Sequence, residues 1–273
     1  MLDPRNGPAW DRPRPARPAR TFVLASTPRT GSTLLCRLLW DTGRVGAPKE
    51  YLNPMQVRDW EVRFGTRTSR WRHRLLRGPL LALSGCAGWP DARLRAHLHR
   101  VRARRTGPSG WFGLKVHQHH FRDVFVGPGR AVEAILGPVT WLRTTREDRL
   151  AQAISWARAL QTGRWAHHQR AWLPPIYSRR RIDACLDRID AHEAAWDTYF
   201  ATHGIEPLHL TYEALAADSE ATIRRVLDHL GEQPTGPIAP DLVRQADHLT
   251  ERWTHRYRRG DRGQTALATG SRA

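Results

Sequence analysis

The chain has 273 residues, enough for one large α/β domain, and 40% of them are hydrophobic, as in ordinary folded proteins. Its formal net charge of +18 attracts polyanions, so nucleic acid and nucleotide substrates both have to be considered. No apolar run approaches the roughly twenty residues that span a bilayer, and the first residues lack a signal-peptide core, so we expect a cytoplasmic protein with no membrane partner. The three scattered cysteines argue against a disulfide framework or a cysteine metal site.

The predicted elements begin after a Pro- and Arg-rich arm. Residues 1–20 are expected to be disordered, and residues 260–273 are expected to form a flexible tail because they are polar and lack periodicity. Neither a repeat nor a linker interrupts residues 21–259, which predicts a single domain. Within that domain, residues 58–107 are crowded with Arg and interrupted by Gly and Pro, which predicts a helical insertion.

Strands and helices alternate along the predicted domain. Short apolar runs predict buried strands over residues 21–26, 111–117, 139–143 and 207–211. Helical periodicity predicts helices over residues 32–40, 147–161, 179–202, 219–230 and 240–258, and residues 212–215 are interpreted as a further helix entry that packs. This alternation predicts an α/β fold in which helices cover both faces of a parallel sheet.

The strongest local motif joins the first strand to the first helix. Gly31 allows a sharp turn and close approach of a ligand, and the helix start offers free N–H groups to a phosphate. The hydroxyls of Ser32 and Thr33 can donate to phosphate oxygens, and Arg29 can neutralise a leaving phosphate. Because the cation precedes the glycine, this is not a Walker A sequence. The pattern Arg29-Thr30-Gly31-Ser32-Thr33 resembles the 5′-phosphosulfate loop of sulfotransferases that use 3′-phosphoadenosine 5′-phosphosulfate (PAPS).

A second candidate nucleotide contact follows the third strand. In sulfotransferases, an Arg at the strand end and a Ser on the next helix bind the 3′-phosphate that distinguishes PAPS from ATP. Arg146 and Ser155 occupy the matching places, and Arg143 is a neighbouring candidate. The alternative for Arg146 is a surface arginine beside a helix cap.

Taken in order, several motifs resemble the Stf0 sulfotransferase family, whose known representative sulfates trehalose. They are STPRTGSTLL at 26–35, PKEYLNP at 48–54, GLK at 113–115, the segment 146–165, RQAD at 244–247, Trp253 and RYR at 256–258. The resemblance implies a P-loop NTPase-like sulfotransferase fold, PAPS as donor and PAP as product. It also implies no metal, a sugar or glycoside hydroxyl as acceptor, and a homodimer.

Sulfuryl transfer needs a base for the acceptor hydroxyl and a cation for the sulfuryl oxygens. Glu50 matches the position assigned as base in the Stf0 family. His117 is the rival, because Lys115-Val116-His117 resembles the Lys-Thr-His segment of cytosolic sulfotransferases, in which Lys contacts the sulfuryl group and His is the base. Residues 115 and 117 point to the same side of a strand. A metal site at His117, His119 and His120 is not favoured, because no carboxylate or Cys lies beside them in the sequence.

The expected function is in-line transfer of a sulfuryl group from PAPS to a hydroxyl of a small carbohydrate-like acceptor. A kinase would need a Walker lysine and an acidic magnesium ligand, and the sequence offers neither at its strand ends. A nucleic-acid-binding protein is a second alternative, for which exposed Trp60 and Trp71 in the Arg-rich insertion would be the first residues to inspect. A non-catalytic nucleotide-binding relative is a third, although the intact Glu50 argues against it.

Overall fold

The computed structural model describes five stretches of the chain: residues 6–12, 19–64, 86–165, 173–234 and 248–260. Most of the predicted arm, the centre of the predicted insertion with Trp71, the RQAD motif and the tail lie outside these stretches. The chain divides into two compact units, Met1–Glu147 with His192–Leu242 and Asp148–Ala191 with Val243–Ala273. None of the described helices is both long and apolar enough to cross a membrane.

The first unit contains a parallel four-stranded sheet. Its strands are β1 (Arg20–Ser26), β2 (Trp111–His117), β3 (Val139–Thr145) and β4 (Leu208–Thr211), in the order β2-β1-β3-β4. At the carboxyl edge, Ser26 of β1 pairs with His117 of β2 and with Thr144 of β3. The chain leaves β1 toward β2 on one side and later returns to β3 on the other, which makes this edge the usual position for a ligand in a parallel sheet.

The described helices agree with the predicted ones in most of their bounds. They are α1 (Ser32–Asp41), α2 (Val57–Arg63), α3 (Asp91–Arg105), α4 (Gln118–Phe121), α5 (Val132–Leu136), α6 (Arg149–Thr162), α7 (Arg179–Thr202), α8 (Tyr212–Ala217), α9 (Ser219–His229) and α10 (His248–Arg258). The short elements α4 and α5 and a π-helical turn over Arg122–Val126 were not predicted. Each contains only four or five residues, which is too short for helical periodicity to be recognised in the sequence. The first part of the predicted helix over 240–258 lies outside the described residues.

Alternate residues of β1 enter two different cores. Val23 and Ala25 belong to an aromatic-rich cluster on one face of the sheet, while Phe22 and Leu24 pack with α1 and α9 on the other. Successive side chains of a strand point to opposite faces, and helices cover both faces of β1, so its central residues 22–25 are all apolar and buried. The predicted α/β fold with helices on both faces is confirmed.

The second unit has a core of its own. Residues of α6, α10 and the first half of α7 form an apolar cluster that includes Ile154, Trp156, Ile182 and Trp253. Helix α6 begins two residues later than predicted, because the side chain of Asp148 accepts a hydrogen bond from the backbone N–H of Ala151 at 2.9 Å and caps it.

Arginines of the predicted insertion stabilise the first unit. Arg105 is completely buried and lies 3.0 Å from a carboxylate oxygen of Asp11, and Arg93 lies 2.8 Å from Glu61. Arg102 donates to the backbone carbonyls of Leu136 and Ala19. The Arg-rich composition is therefore used in part to hold neighbouring segments together.

Trp60, which lies in the described part of the predicted insertion, is not at the surface. Trp60 has 1% of its surface exposed and packs at 5.0 Å against the ring of Tyr51. Trp60 therefore does not supply the exposed aromatic surface that the nucleic-acid alternative requires, because helix α2 directs this side chain into the aromatic core.

The segment that leads to Glu50 runs beside β2. Gly46 N donates to Trp111 O at 3.1 Å, and Lys115 N donates to Lys49 O at 3.0 Å. A Cβ atom on Gly46 would lie 1.8 Å from Arg105 O, so only glycine allows the two backbones to approach this closely. The position of Glu50 therefore depends on a backbone contact four residues before it.

We expect Gly46→Ala to lower the free energy of unfolding by about 3 kcal/mol, because the added methyl overlaps a backbone carbonyl that cannot move away. Urea denaturation followed by circular dichroism measures the change. Gly88→Ala is the matched control, since nothing lies within 4 Å of its added Cβ. Equal midpoints for the two variants would contradict the assignment of close backbone packing at Gly46.

Candidate active site

The loop between β1 and α1 adopts a strained backbone conformation. Gly31 caps α1 with a φ of 74°, and Arg29 has a φ of 70°, the one positive φ among the described non-glycine residues. A Cβ atom on Gly31 would lie 2.8 Å from the ring of Tyr212, so both backbone conformation and space require glycine. Strain of this kind persists where surrounding structure enforces it, most often at binding sites.

The predicted phosphate ligands point in different directions. The Thr30 side chain is 1% exposed, and its hydroxyl donates to Thr27 O at 3.1 Å and lies 3.0 Å from the Thr144 hydroxyl on β3. Thr30 therefore uses its side chain to hold the loop, and only its backbone remains for a ligand. Ser32 is buried at the start of α1, whereas Thr33 is exposed.

Three residues predicted to be catalytic lie together at the carboxyl edge of the sheet. Lys115 Nζ is 2.8 Å from Glu50 Oε1 and donates to Thr33 Oγ1 at 2.9 Å. His117 Nε2 is 3.4 Å from the same Glu50 oxygen. The other carboxylate oxygen accepts a hydrogen bond from Asn53 Nδ2 at 2.6 Å. Glu50 is thereby connected to the phosphate loop through the single ammonium of Lys115.

Asn53 was missed as a functional residue by sequence reasoning. It lies inside the PKEYLNP motif, three residues after Glu50, so its proximity in the chain was a signal that could have been used. Its side-chain amide orients the carboxylate, which leaves Glu50 Oε1 facing Lys115 and His117.

His117 is placed between Ser26 and Glu50. Ser26 Oγ lies 3.0 Å from His117 Nδ1 and 3.2 Å from Val116 O, and His117 Nε2 faces Glu50 Oε1 at 3.4 Å. If the Ser26 hydroxyl donates to Val116 O, its oxygen can accept from Nδ1–H. If the hydroxyl donates to Nδ1, the proton of a neutral ring is on Nε2 and is directed at Glu50.

The charge on Glu50 is stabilised by its neighbours. Burial raises the pKa of this carboxyl, but the Lys115 ammonium and His117 outweigh it, so the pKa lies well below its usual range. Glu50 is therefore ionised at neutral pH.

Buried contacts fix the backbone on either side of Glu50. The Tyr51 hydroxyl donates to Ala47 O at 2.5 Å, and His97 Nε2 lies 3.0 Å from Tyr51 O. Burial lowers the pKa of His97, which keeps the imidazole neutral, and raises the pKa of Tyr51, which keeps the phenol protonated. These contacts make the position of Glu50 a property of the core and not of a loose loop.

The two arginines near the end of β3 have different environments. Arg143 is buried and lies 2.8 Å from Glu193, with a second ion pair to Asp197. Glu193 also accepts from the Thr27 hydroxyl at 2.6 Å. Burial lowers the pKa of Arg143, but its hydrogen bonds to Asp197 and Glu193 raise it above the ordinary value. Its charge is thus compensated by the fold, and it braces the base of the phosphate loop.

Arg146 follows the last residue of β3 and is only partly paired. Its guanidinium lies 4.3 Å above the ring of Tyr212, and its Nε is 4.0 Å from Glu213. Tyr212 therefore contacts both Arg146 and the Gly31 turn, in agreement with the interpretation of residues 212–215 as a packing element. Ser155 lies on α6 in the second unit and is half-buried.

The histidines after β2 do not form a metal centre in the described part of the chain. No group of three or more His, Cys, Asp or Glu side chains there is arranged to hold an ion.

The strained loop before α1 lacks a Walker lysine and lies beside the ionised Glu50 carboxylate at the edge of a parallel sheet. This arrangement fits a group-transfer enzyme. Comparison with known proteins identifies the family: the family model described as Stf0 sulphotransferase matches residues 21–260. The chain belongs to this family, and it is a sulfotransferase.

Two curated relatives carry the name trehalose 2-sulfotransferase. The protein from Mycobacterium tuberculosis is 28% identical over 265 residues, which cover 89% of this chain and 96% of the relative. The protein from Mycolicibacterium smegmatis is 29% identical over 272 residues, and the match covers 89% of this chain and 95% of the relative. Among solved structures, sulfotransferase STF9 from Mycobacterium avium is similar with a TM-score of 0.46 and 14% identity, covering 90% of this chain and 69% of that one.

We expect Glu193→Gln to lower the free energy of unfolding by about 3 kcal/mol, because it removes the buried one of the two carboxylates that pair with the Arg143 guanidinium. Asp197→Asn is the matched control on the same guanidinium: 66% of the Asp197 side chain is exposed, so solvent replaces most of the lost interaction. Urea denaturation of both variants provides the comparison. A larger loss for Asp197→Asn than for Glu193→Gln would contradict the bracing role of Glu193.

Proposed function

We propose that the protein transfers a sulfuryl group from PAPS to a hydroxyl of a small carbohydrate and releases PAP. Membership of the Stf0 family and the two relatives named for trehalose support the sugar as acceptor. The observation that carries the proposal is the continuous contact from the Glu50 carboxylate through Lys115 to Thr33, at 2.8 and 2.9 Å. It connects a base for the acceptor directly to the predicted donor loop.

The donor site is proposed to use the first turn of α1. Its unpaired N–H groups and the hydroxyls of Ser32 and Thr33 bind the 5′-phosphosulfate, and Arg29 neutralises charge on the leaving phosphate. Arg146 and Ser155 are proposed to bind the 3′-phosphate. Arg143 is not included, because its guanidinium is paired within the fold.

The proposed reaction is an in-line displacement at sulfur. The acceptor oxygen forms a bond to sulfur while the bond from sulfur to the 5′-phosphate oxygen breaks, and the hydroxyl proton moves to Glu50. Negative charge develops on the departing PAP phosphate, and the Lys115 ammonium stabilises the oxygens between donor and acceptor. The step requires no metal and no co-reactant besides PAPS and the acceptor.

Glu50 is the proposed base, and His117 is proposed to position it. The carboxylate is ionised and can take a proton, and His117 Nε2 lies 3.4 Å from Glu50 Oε1, close enough to orient it. With its Nδ1 against Ser26, the imidazole holds the carboxylate from one side as Asn53 does from the other. The homodimer and the cytoplasmic location stay predictions.

Thermal unfolding with PAP, with Mg·ATP and with no ligand tests the donor site. At a hundred times its dissociation constant, a ligand that binds only the folded state stabilises it by about 2.7 kcal/mol. We expect a clear rise of the melting temperature with PAP and little change with ATP, because the 3′-phosphate contacts are absent from ATP. No shift with PAP well above micromolar concentration would overturn the proposal.

We expect Glu50→Gln to lower kcat by about 10²–10⁴-fold, the usual contribution of a general base, with the Kd of PAP nearly unchanged. Steady-state release of PAP from PAPS with a sugar acceptor, and calorimetric titration with PAP, measure the two quantities. His117→Gln is the comparison, since a positioning residue replaced by another hydrogen-bond donor keeps part of the rate. An active Glu50→Gln enzyme together with an inactive His117→Gln enzyme would make His117 the base.

A further inference from the structure

Four imidazole rings form a cluster beside Glu50, in which His119 stacks with His117 and His192, and His120 is tilted against it. His117 ends β2, and His119 and His120 lie in the short helix α4 that begins at the next residue. The ring centre of His119 is 6.0 Å from that of His117 with 10° between the planes, 4.0 Å from His120, and 5.2 Å from His192. The His120 ring is also 6.0 Å from His117. We call His119 and His120 the histidine pair.

The histidine pair has hydrogen-bonding capacity that its described surroundings do not use. The Nδ1 atoms of His119 and His120 are buried and have no hydrogen-bond partner among the described residues. An unsatisfied buried polar atom destabilises the folded state, so such atoms are rare and require an explanation. Here two of them are adjacent, and both lie next to the group proposed to receive the acceptor's proton.

The rings of the histidine pair can turn without a change of backbone. Both residues are half-buried. The torsion that orients an imidazole ring is broad and roughly two-fold, so a half-turn moves Nδ1 to the opposite edge of the ring. The pair can therefore present a nitrogen to a group that enters beside His117.

The histidine pair is neutral at physiological pH. Burial, followed by the neighbouring imidazoles, lowers the pKa of His119 to about 2. The pKa of His120 is lowered to about 4 by burial and then by His117, although Glu50 acts in the opposite direction. A neutral imidazole has one N–H donor and one acceptor nitrogen, whereas an imidazolium has donors only.

A carbohydrate offers groups that match this pair. Each sugar hydroxyl is both a donor and an acceptor, and neighbouring hydroxyls on one ring present two such groups side by side. An anionic acceptor would gain no charge pairing from neutral rings, and the adjacent Glu50 carboxylate would repel it.

We propose that His119 and His120 bind the acceptor, through hydrogen bonds to carbohydrate hydroxyls adjacent to the one that receives the sulfuryl group. The inference rests on the proposed function, because it places the acceptor beside Glu50. It adds the two residues that select a polyhydroxylated acceptor over a simple alcohol. His192 is proposed to support the ring of His119 by stacking at 5.2 Å, without a direct contact to the acceptor.

The test replaces each member of the pair by Phe and by Gln. His119→Phe and His120→Phe keep a planar ring in the stack and remove both nitrogens, whereas the Gln variants keep a donor and an acceptor. Trehalose and D-glucose serve as probes in steady-state assays of PAP release from PAPS, and calorimetry gives the Kd of PAP. His99→Phe, on the exposed side of α3, is the matched control.

We expect each Phe variant to raise the KM of the sugar that the wild-type enzyme uses by about 10-fold, with the Kd of PAP and the melting temperature unchanged. The Gln variants should recover part of the loss, which a purely structural stack would not allow. Unchanged KM values in both Phe variants would overturn the inference. PAP binding by the wild-type protein without turnover of either sugar would also overturn it while the donor site stands. Failure of PAP to bind would instead overturn the proposed function, and this inference with it.

Discussion

A carboxylate held between an ammonium and an imidazole constrains every element around it. Glu50 contacts Lys115 and His117 from β2, and Lys115 also contacts Thr33 at the start of α1. Since the Lys115 side chain is only 5% exposed, loss of its carboxylate partner would leave a buried charge, at a cost of about 3–5 kcal/mol. The turn at Gly46 and the buried contacts of Tyr51 hold the backbone of Glu50 in the position from which its carboxylate reaches Lys115 and His117. Stability and the proposed catalysis thus depend on the same ion pair.

The strongly basic composition serves both the fold and the proposed donor. Inside the first unit, carboxylates are matched to arginines, as Glu232 is to Arg20 and Arg44, each at 2.8 Å. Such pairs hold together segments that are distant in sequence. The net charge of +18 remains as a long-range field that favours an anionic nucleotide, which is an effect on association and not on the fold.

Neighbouring ionisable groups in the site are driven to different protonation states by their surroundings. Glu50 stays charged because cationic neighbours outweigh its burial, whereas His119 and His120 stay neutral because burial and other imidazoles act in the same direction. A charged base beside neutral hydrogen-bonding rings suits an uncharged, hydroxyl-rich acceptor. The different roles proposed for Glu50 as the base and for His119 and His120 as acceptor-binding residues therefore follow from their different charges.

The sequence by itself determined the alternation of strands and helices, the phosphate loop, and the shared orientation of residues 115 and 117, because these depend on local periodicity and turn chemistry. Only the tertiary structure decided that Lys115 meets Thr33, 82 positions away, or that Trp60 is buried. It also separated Arg143, which is paired inside the fold, from Arg146, which lies just beyond the strand. Local sequence patterns indicate which side of a strand or helix is buried. Which distant side chains contact that side depends on the tertiary fold, because residues far apart in the sequence meet only when the chain has folded.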